Sequence, residues 1–273
     1  MSKIDPTARI EDGAVIGDDA EIGPYCIVGP NVKLGANCKL LSHVNIAGHT
    51  TIGSDCTIYP FASLGTAPQS TGYKGEPTKL EIGDNCTIRE SVTMNTGTAS
   101  GGGITRVGSR GYFMAYSHVG HDCILGNNII FANSATLGGH CEVGDFVFFG
   151  GLSAAHQFVR IGAQAMIAGC SGIRNDVIPY GLASGQFALL EGMNVVGMRR
   201  RGFSHTRLKL VREFYEELFH GAGQFAARLE KLRSSGSSDP AIVEILAFID
   251  AGGKRPLTKA NPRKTADSAS NEG

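Results

Sequence analysis

Apolar residues recur at every sixth position from Ile10 to Ile173, with two interruptions. The series contains 25 hexads, and the first residue of each, the lead residue, is apolar. The residue after the lead is glycine in 14 hexads. The fourth residue after the lead is Ala, Val, Ser, Thr, Cys or Gly in 23 hexads, with Pro68 and Ile129 as the exceptions. Two coupled constraints over so many repeats indicate one repetitive architecture.

One hexad is long enough for a short strand and a turn, so three hexads predict a triangular coil of about 18 residues. The lead residue would fill the interior of the resulting prism, and the small residue would fit its corner. Glycine would serve where the chain needs a positive φ or a close approach. Successive coils would pair as parallel strands, and many are needed because one coil cannot bury its own interior.

Two excursions, about 66–79 and 99–105, interrupt the prism and are rich in glycine and polar residues. Insertions at the corners of a solenoid often carry function, although a plain solvated loop is the alternative. The repeat predicts a prism domain over residues 1–190. Three helices are then predicted: one capped by Ser204, a second at about 224–232, and a third with Pro240 in its first turn. Together they predict a helical domain over 191–253.

The remaining segment, 254–273, is polar and contains proline and lysine, so we expect it to be disordered.

The chain has 25 lysine plus arginine residues and 25 aspartate plus glutamate residues, so its net charge gives no global attraction to nucleic acid or membranes. We find no signal-peptide pattern and no apolar run of membrane-spanning length, and we expect a cytoplasmic protein. Six of the seven cysteines occupy the small corner position, which favours packing over metal or redox roles.

Four histidines fall in one stretch of the prism: His118, His121, His140 and His156. Asp122 and His140 are 18 residues apart, so we expect them in equivalent positions of adjacent coils, with His121 over Gly139. A histidine, a carboxylate and an exposed glycine N–H provide a general base, its orienting partner and an oxyanion donor. The alternative is that these are exposed turn residues without a catalytic role.

Several segments of the chain resemble the UDP-N-acetylglucosamine O-acyltransferase family: 118–122, 138–140, 156–158, 169–172, 88–93 and 199–203. The resemblance extends from about Ile10 to Ile249. It implies a left-handed parallel β-helix followed by a small helical domain, assembled as a homotrimer. It also implies transfer of a 3-hydroxyacyl chain from acyl carrier protein to the sugar 3-hydroxyl, the step that begins lipid A synthesis in Gram-negative bacteria.

The resemblance assigns a role to each candidate residue. His121 would be the general base, Asp122 would hold its imidazole, and the Gly139 N–H would receive the oxyanion without a covalent acyl-enzyme. Substrate contacts would come from His118, His140, Gln157, Asn194, Arg200, Arg201, Tyr73 and Lys74. The basic segment and helices at the C-terminal end would meet the acidic carrier protein.

Acyl length in this family depends partly on the position of Gly169, where a bulky side chain shortens the pocket. Glycine here predicts a chain of about fourteen carbons. Each methylene buried in the pocket would contribute about 0.8 kcal/mol to binding. Phe187 could cap the pocket earlier.

No cofactor is implied. The γ-class carbonic anhydrases bind zinc on the same fold with two histidines five residues apart, whereas His118 and His121 are three apart.

The first excursion departs from the family pattern. Members carry an acidic residue and a lysine before its tyrosine, whereas Ser70 and Gly72 stand here and Lys74 follows Tyr73. Val196 likewise replaces a glutamate of some members. An acceptor sugar with a 3-amino group is therefore an alternative. Two further alternatives are another hexapeptide acyltransferase and a non-catalytic scaffold, which would not need His121.

Overall fold

The chain winds into a triangular prism whose three faces are β-sheets. The computed structural model describes residues 2–262. Sheet A contains β1 (Lys3–Ile4), β4 (Glu21–Ile22), β7 (Lys39–Leu40), β10 (Thr57–Ile58), β13 (Thr87–Ile88), β16 (Tyr112–Phe113), β19 (Ile130–Phe131), β22 (Phe148–Phe149), β25 (Met166–Ile167), β27 (Gly181–Ser184) and β28 (Leu189–Met193). All neighbours pair in parallel except β27 and β28.

Sheets B and C form the other two faces. Sheet B contains β2 (Arg9–Ile10), β5 (Ile27–Val28), β8 (Asn45–Ile46), β11 (Ser63–Thr66), β14 (Thr93–Asn95), β17 (His118–Val119), β20 (Thr136–Leu137), β23 (Ala154–Ala155) and β26 (Gly172–Ile173). Sheet C contains β3 (Val15–Ile16), β6 (Lys33–Leu34), β9 (His49–Ile52), β12 (Lys79–Ile82), β15 (Ile104–Val107), β18 (Ile124–Leu125), β21 (Glu142–Val143) and β24 (Arg160–Ile161). The chain visits A, B and C in turn, so each coil contributes one strand to each face.

The register confirms the predicted coil of 18 residues. His118 pairs with Thr136, and Thr136 pairs with Ala154. The step lengthens only where the two excursions are inserted, between Thr57 and Thr87 and between Thr93 and His118. Apart from a register shift between Leu64 and Thr66 in β11, the parallel pairing continues on either side of both insertions, because the extra residues project from a corner.

The lead residues fill the prism as predicted. Phe113, Phe131 and Phe149 stack in consecutive coils, with ring centroids 5.2 and 4.5 Å apart. The small residues at the fourth position, such as Cys38 and Cys56, are fully buried at the corners. The interior is therefore a continuous apolar column, in which each coil covers the next.

In most turns of the prism, one residue other than glycine adopts a positive φ, whereas at Gly13 a glycine does so. Twenty such residues occur between residues 2 and 262, and most are the third residue after a lead, as Asp122 and His140 are. Glycine is needed directly after the lead for a different reason. A Cβ on Gly17 would lie 2.5 Å from the Gly35 carbonyl carbon of the next coil. Close approach between coils therefore explains these glycines.

Helices follow the prism. They are α1 (Val195–Arg200), α2 (His205–His220), α3 (Phe225–Ser234) and α4 (Pro240–Asp250), and a 3-10 turn, Ala99–Gly101, lies in the second excursion. The Ser204 hydroxyl accepts from the Arg207 N–H, and Pro240 lies in the first turn of α4, as predicted. The short helix α1 was not predicted. Within residues 2–262, no helix is both long and apolar enough to cross a membrane.

The prediction of disorder is wrong for residues 254–262. Leu257 forms a parallel bridge with Asp176, and Ala260 forms one with Leu190. Thr258 is almost fully buried. Composition did not reveal this packing, because the segment is held mainly by backbone hydrogen bonds to the end of the prism. Residues 263–273 lie outside the described residues.

Replacing Phe131 with alanine should lower the free energy of unfolding by about 3–5 kcal/mol, because it leaves a cavity in the middle of the column. Chemical denaturation at fixed protein concentration measures this change. Leu210→Ala removes an exposed side chain of α2 and serves as the control, with an expected change under about 0.5 kcal/mol. An equal effect of both substitutions would contradict the role of the aromatic column.

Candidate active site

The candidate catalytic residues share one corner of the prism, where the chain passes from sheet B to sheet C (the B–C corner). Residues 120–123, 138–141 and 156–159 form this corner in three consecutive coils. Both excursions leave from the same corner, after β11 and after β14. The sequence predicted the stacking of the histidines but not that the loops project beside them.

His121 and Asp122 form a hydrogen-bonded pair, as predicted. The Nδ1 of His121 lies 2.8 Å from Oδ2 of Asp122, whose side chain is fully buried. A carboxylate accepts only, so Nδ1 carries the proton and Nε2 keeps its lone pair. The imidazole is thus held in the tautomer that a general base requires.

The second excursion encloses the carboxylate. The Thr98 N–H donates to Oδ1 of Asp122 at 2.8 Å, and the Thr98 hydroxyl donates to Oδ2 at 2.6 Å. A Cβ on Gly101 would overlap the carboxyl carbon of Asp122. The Asp122 N–H donates to Thr105 Oγ1 at 2.8 Å. Sequence analysis missed Thr98. It lies 24 residues before Asp122, and the insertion between them breaks the period that relates other stacked residues.

The imidazole of His121 lies directly against Gly139. A Cβ on Gly139 would be 2.5 Å from Cε1 and 2.7 Å from Nε2 of His121. The Gly139 carbonyl accepts from the Phe158 N–H, whereas the Gly139 N–H has no acceptor within residues 2–262. A free N–H beside the basic nitrogen is suited to receive a developing oxyanion.

Two further histidines surround the pair. The His140 ring stands edge-on to His121, with centroids 5.0 Å apart, and its Nδ1 is 3.8 Å from Asp122 Oδ2. His118 Nδ1 is 2.7 Å from the Thr93 hydroxyl. Burial is the main cause that lowers the pKa of both His118 and His140, and the charge of His121 adds to it. Both rings are therefore neutral near pH 7 and act as hydrogen-bonding groups.

A metal ion fits this cluster poorly. Ligand atoms of His121, Asp122 and His140 lie within 4.8 Å of one another. However, both carboxylate oxygens of Asp122 already accept bonds from Thr98 and His121. A cation would have to displace these donors, so the arrangement favours acid–base chemistry.

Three predicted residues lie at another corner, between sheets C and A. Asn194 Nδ2 donates to the Gln164 carbonyl at 2.8 Å, while its Oδ1 caps α1. Arg201 donates to the Phe146 carbonyl at 3.2 Å, and Arg200 is exposed. Within the chain, these residues and His121 therefore occupy different corners of the prism.

The other predicted residues are also dispersed. Gly169 is exposed at the corner between sheets A and B, and Phe187 is exposed beneath the Arg174 guanidinium. In the first excursion, the Tyr73 hydroxyl donates to the Glu76 carbonyl at 2.7 Å, and Lys74 is exposed. Gln157 lies at the B–C corner, with an exposed side chain.

Comparison with known proteins gives a consistent result. The family model for domain 2 of UDP-N-acetylglucosamine O-acyltransferase matches residues 176–258, and the bacterial hexapeptide transferase model matches residues 1–36. A relative from Sinorhizobium fredii named acyl-[acyl-carrier-protein]–UDP-N-acetylglucosamine O-acyltransferase is 48% identical over 260 residues, which cover 95% of this chain and 96% of the relative. One from Agrobacterium fabrum with the same name is 43% identical, over 96% of this chain and 97% of the relative.

Solved structures agree with these relatives. The UDP-N-acetylglucosamine acyltransferase from Campylobacter jejuni is 39% identical with a TM-score of 0.89, and the match covers 95% of this chain and all of that one. The Francisella novicida UDP-N-acetylglucosamine acyltransferase is 32% identical with a TM-score of 0.91, over 99% of both chains. The predicted fold class, a β-helix of hexapeptide repeats with a C-terminal helical region, is confirmed.

Replacing Thr98 with valine should lower kcat about tenfold, since it removes one hydrogen bond to a charged group, worth about 1.5 kcal/mol. Steady-state kinetics measures the change, and Thr98→Ser should restore most of the activity because it keeps the hydroxyl. Thr57→Val, on sheet A, is the matched control. Full activity of Thr98→Val would show that the second excursion does not orient the pair.

Proposed function

The chain belongs to the UDP-N-acetylglucosamine O-acyltransferase family, and from this we propose that it transfers a 3-hydroxyacyl chain from acyl carrier protein to the 3-hydroxyl of UDP-N-acetylglucosamine. This is the first step of lipid A biosynthesis. The observation that carries the proposal is the buried His121–Asp122 pair set against the Gly139 N–H, which has no acceptor among residues 2–262. All three are needed to activate a hydroxyl and to stabilise the oxyanion that follows its attack.

In the proposed mechanism, His121 Nε2 removes the proton of the sugar 3-hydroxyl as its oxygen attacks the thioester carbonyl. Asp122 stabilises the imidazolium that forms, and the Gly139 N–H donates to the oxyanion. Collapse of the tetrahedral intermediate breaks the C–S bond. The imidazolium then protonates the leaving thiolate, so the proton lost by the hydroxyl ends on the carrier thiol.

The cysteines support direct transfer without an acyl-enzyme. Cys123 and Cys141, which are nearest in sequence to the histidines, are fully buried, and their thiols donate to backbone carbonyls. Burial is the main cause that raises the pKa of the Cys123 thiol. Cys170 is exposed but lies at the corner between sheets A and B. Within residues 2–262, no thiol combines exposure with proximity to the base.

A homotrimer of parallel prisms is supported by the dispersal of the predicted site residues over three corners. Asn194 and Arg201 would reach a reacting sugar at His121 of a neighbouring protomer, and a threefold head-to-tail contact closes as a ring. The corner between sheets A and B also exposes large apolar side chains: Tyr25, Phe61, Tyr116 and Leu152. Such a column is typical of a surface that is covered in the assembly.

The cleft between α1 and α2 supports docking of an acidic carrier protein. Its lining includes Arg199, His205, Lys209 and Arg212, together with two glutamates. A predominantly basic cleft would steer an acidic partner and raise its association rate.

The acyl chain would run past Gly169, where a Cβ would have only the Gly151 backbone within 4 Å. The absence of a side chain at this position supports a chain of about fourteen carbons, to whose binding each buried methylene would contribute about 0.8 kcal/mol.

Replacing His121 with alanine should lower the rate of acyl transfer by about 10³-fold, because general-base catalysis contributes about 10²–10⁴. Mass spectrometry of the acylated sugar measures the loss. His49→Ala, at an exposed position of sheet C, is the matched control. A His121→Ala variant with full activity would contradict the role of His121 as the general base, whereas an unaltered protein that acylates no sugar would favour a non-catalytic scaffold.

The acceptor and the chain length can be tested together. Acyl carrier protein loaded with ten- or fourteen-carbon 3-hydroxyacyl chains is supplied with UDP-N-acetylglucosamine or its 3-amino analogue. We expect the fourteen-carbon chain on the hydroxyl sugar to react fastest. We also expect Gly169→Met to shift the preference towards ten carbons, because the methionine side chain would block the path of the longer acyl chain. Reaction with the amino sugar alone would change the product to an amide.

A further inference from the structure

A column of rings and one cation extends along the B–C corner from the catalytic base. His121 meets the edge of His140, and His140 stacks on Phe158 at 4.3 Å with the planes 8° apart. Lys254 Nζ lies 4.1 Å from the centroid of the Phe158 ring. The base and the ammonium group thus stand at opposite ends of one continuous stack.

The segment that carries Lys254, residues 251–262 (the C-terminal strap), is anchored on both sides of the lysine. Arg255 donates to His156 Nδ1 at 2.6 Å and to the Gln157 carbonyl at 3.0 Å. On the other side, a Cβ on Gly253 would lie 2.5 Å from Arg160 Nε, so the turn rests on the buried Arg160–Asp176 ion pair. The position of the Lys254 backbone is therefore fixed relative to the site.

Lys254 forms no ion pair with the residues that the structure describes, 2–262. Within residues 2–262, no carboxylate lies within 4.0 Å of its Nζ, although Glu142 lines the same groove. This groove, of about 500 Å³, lies between the strap and the B–C corner and is lined by His140, Glu142, Phe158, Arg160, Gly253 and Lys254. An ammonium group held over an aromatic face with one side open is suited to bind an anion that enters the groove.

We propose that Lys254 binds a phosphate group of a substrate in the groove between the C-terminal strap and the B–C corner. The inference rests on the proposed function, in which both substrates carry phosphate: the diphosphate of the UDP-sugar and the phosphodiester of the carrier's pantetheine arm. Phe158 lies two coils from His121, a separation of about 10 Å. That distance places the cation away from the reacting atoms, so it contributes to binding and not to proton transfer.

The surroundings of His140 are consistent with this role. Burial is the main cause that lowers the pKa of His140, and the charges of His121 and Lys254 add to it, whereas Asp122 opposes it. Lys254 therefore acts on the site electrostatically even without a ligand. A bound phosphate would offset its charge and so raise the pKa of His140.

Two substitutions of Lys254 separate charge from packing. Lys254→Met keeps the apolar stem on Phe158 but removes the charge, and Lys254→Arg retains the charge. Lys259→Met, at an exposed position of the same strap, is the matched control. The readouts are kcat and the KM for each substrate. Calorimetric binding of UDP-N-acetylglucosamine alone, and of 3-hydroxyacyl-phosphopantetheine alone, identifies the source of the phosphate.

We expect Lys254→Met to raise one of the two KM values about tenfold and to leave kcat within about threefold, on the scale of one charge-assisted hydrogen bond. Lys254→Arg should restore most of the affinity, and Lys259→Met should change neither KM. The ligand whose calorimetric affinity falls in parallel is the one that Lys254 holds.

Three results would overturn the inference: KM values within twofold of the original, an equal effect of Lys259→Met, or a loss confined to kcat. The last would show that Lys254 acts only through His140. If the unaltered protein acylates neither acceptor sugar, the proposed function fails, but the calorimetric comparison still decides whether Lys254 contributes to binding either phosphate ester.

Discussion

The parallel hydrogen-bond ladder between coils is the constraint on which the rest of the structure depends. Because every coil must pair with the next in register, residues 18 positions apart lie one above the other. This stacking places Asp122 below His140 and the imidazole of His121 against Gly139. The candidate catalytic residues thus lie on short turns that are held by strands of only two residues.

The same ladder explains why additional residues gather at the corners. An insertion within a strand would break the register of a whole face, whereas an insertion at a turn leaves it intact. Both excursions use the B–C corner, and the second supplies Thr98 to the buried carboxylate. The C-terminal strap reaches this corner from the other end of the prism and adds Lys254. A periodic scaffold therefore acquires an aperiodic site at one edge.

The electrostatics of the site follow from burial among these stacked rings. Asp122 accepts three hydrogen bonds through its carboxylate, so its charge is satisfied without a cation. His118 and His140 are half-buried beside His121, which favours their neutral forms. One imidazole is thus positioned to take up a proton, while its neighbours present neutral nitrogens. The positive charges of Lys254 and of the basic residues on the helices lie farther away.

The sequence by itself determined the period, the coil, the inward-facing residues and the His121–Asp122–Gly139 arrangement, because a repeat of fixed length converts spacing directly into position. It also predicted α2 from its cap Ser204, α3 at about 224–232, and α4 from Pro240 in its first turn. Only the tertiary structure revealed the contacts of Thr98, the packing of residues 254–262 and the separation of Asn194 and Arg201 from His121. These contacts join segments that are not related by the period, and their partners are decided by where the loops and the strap fold back onto the prism.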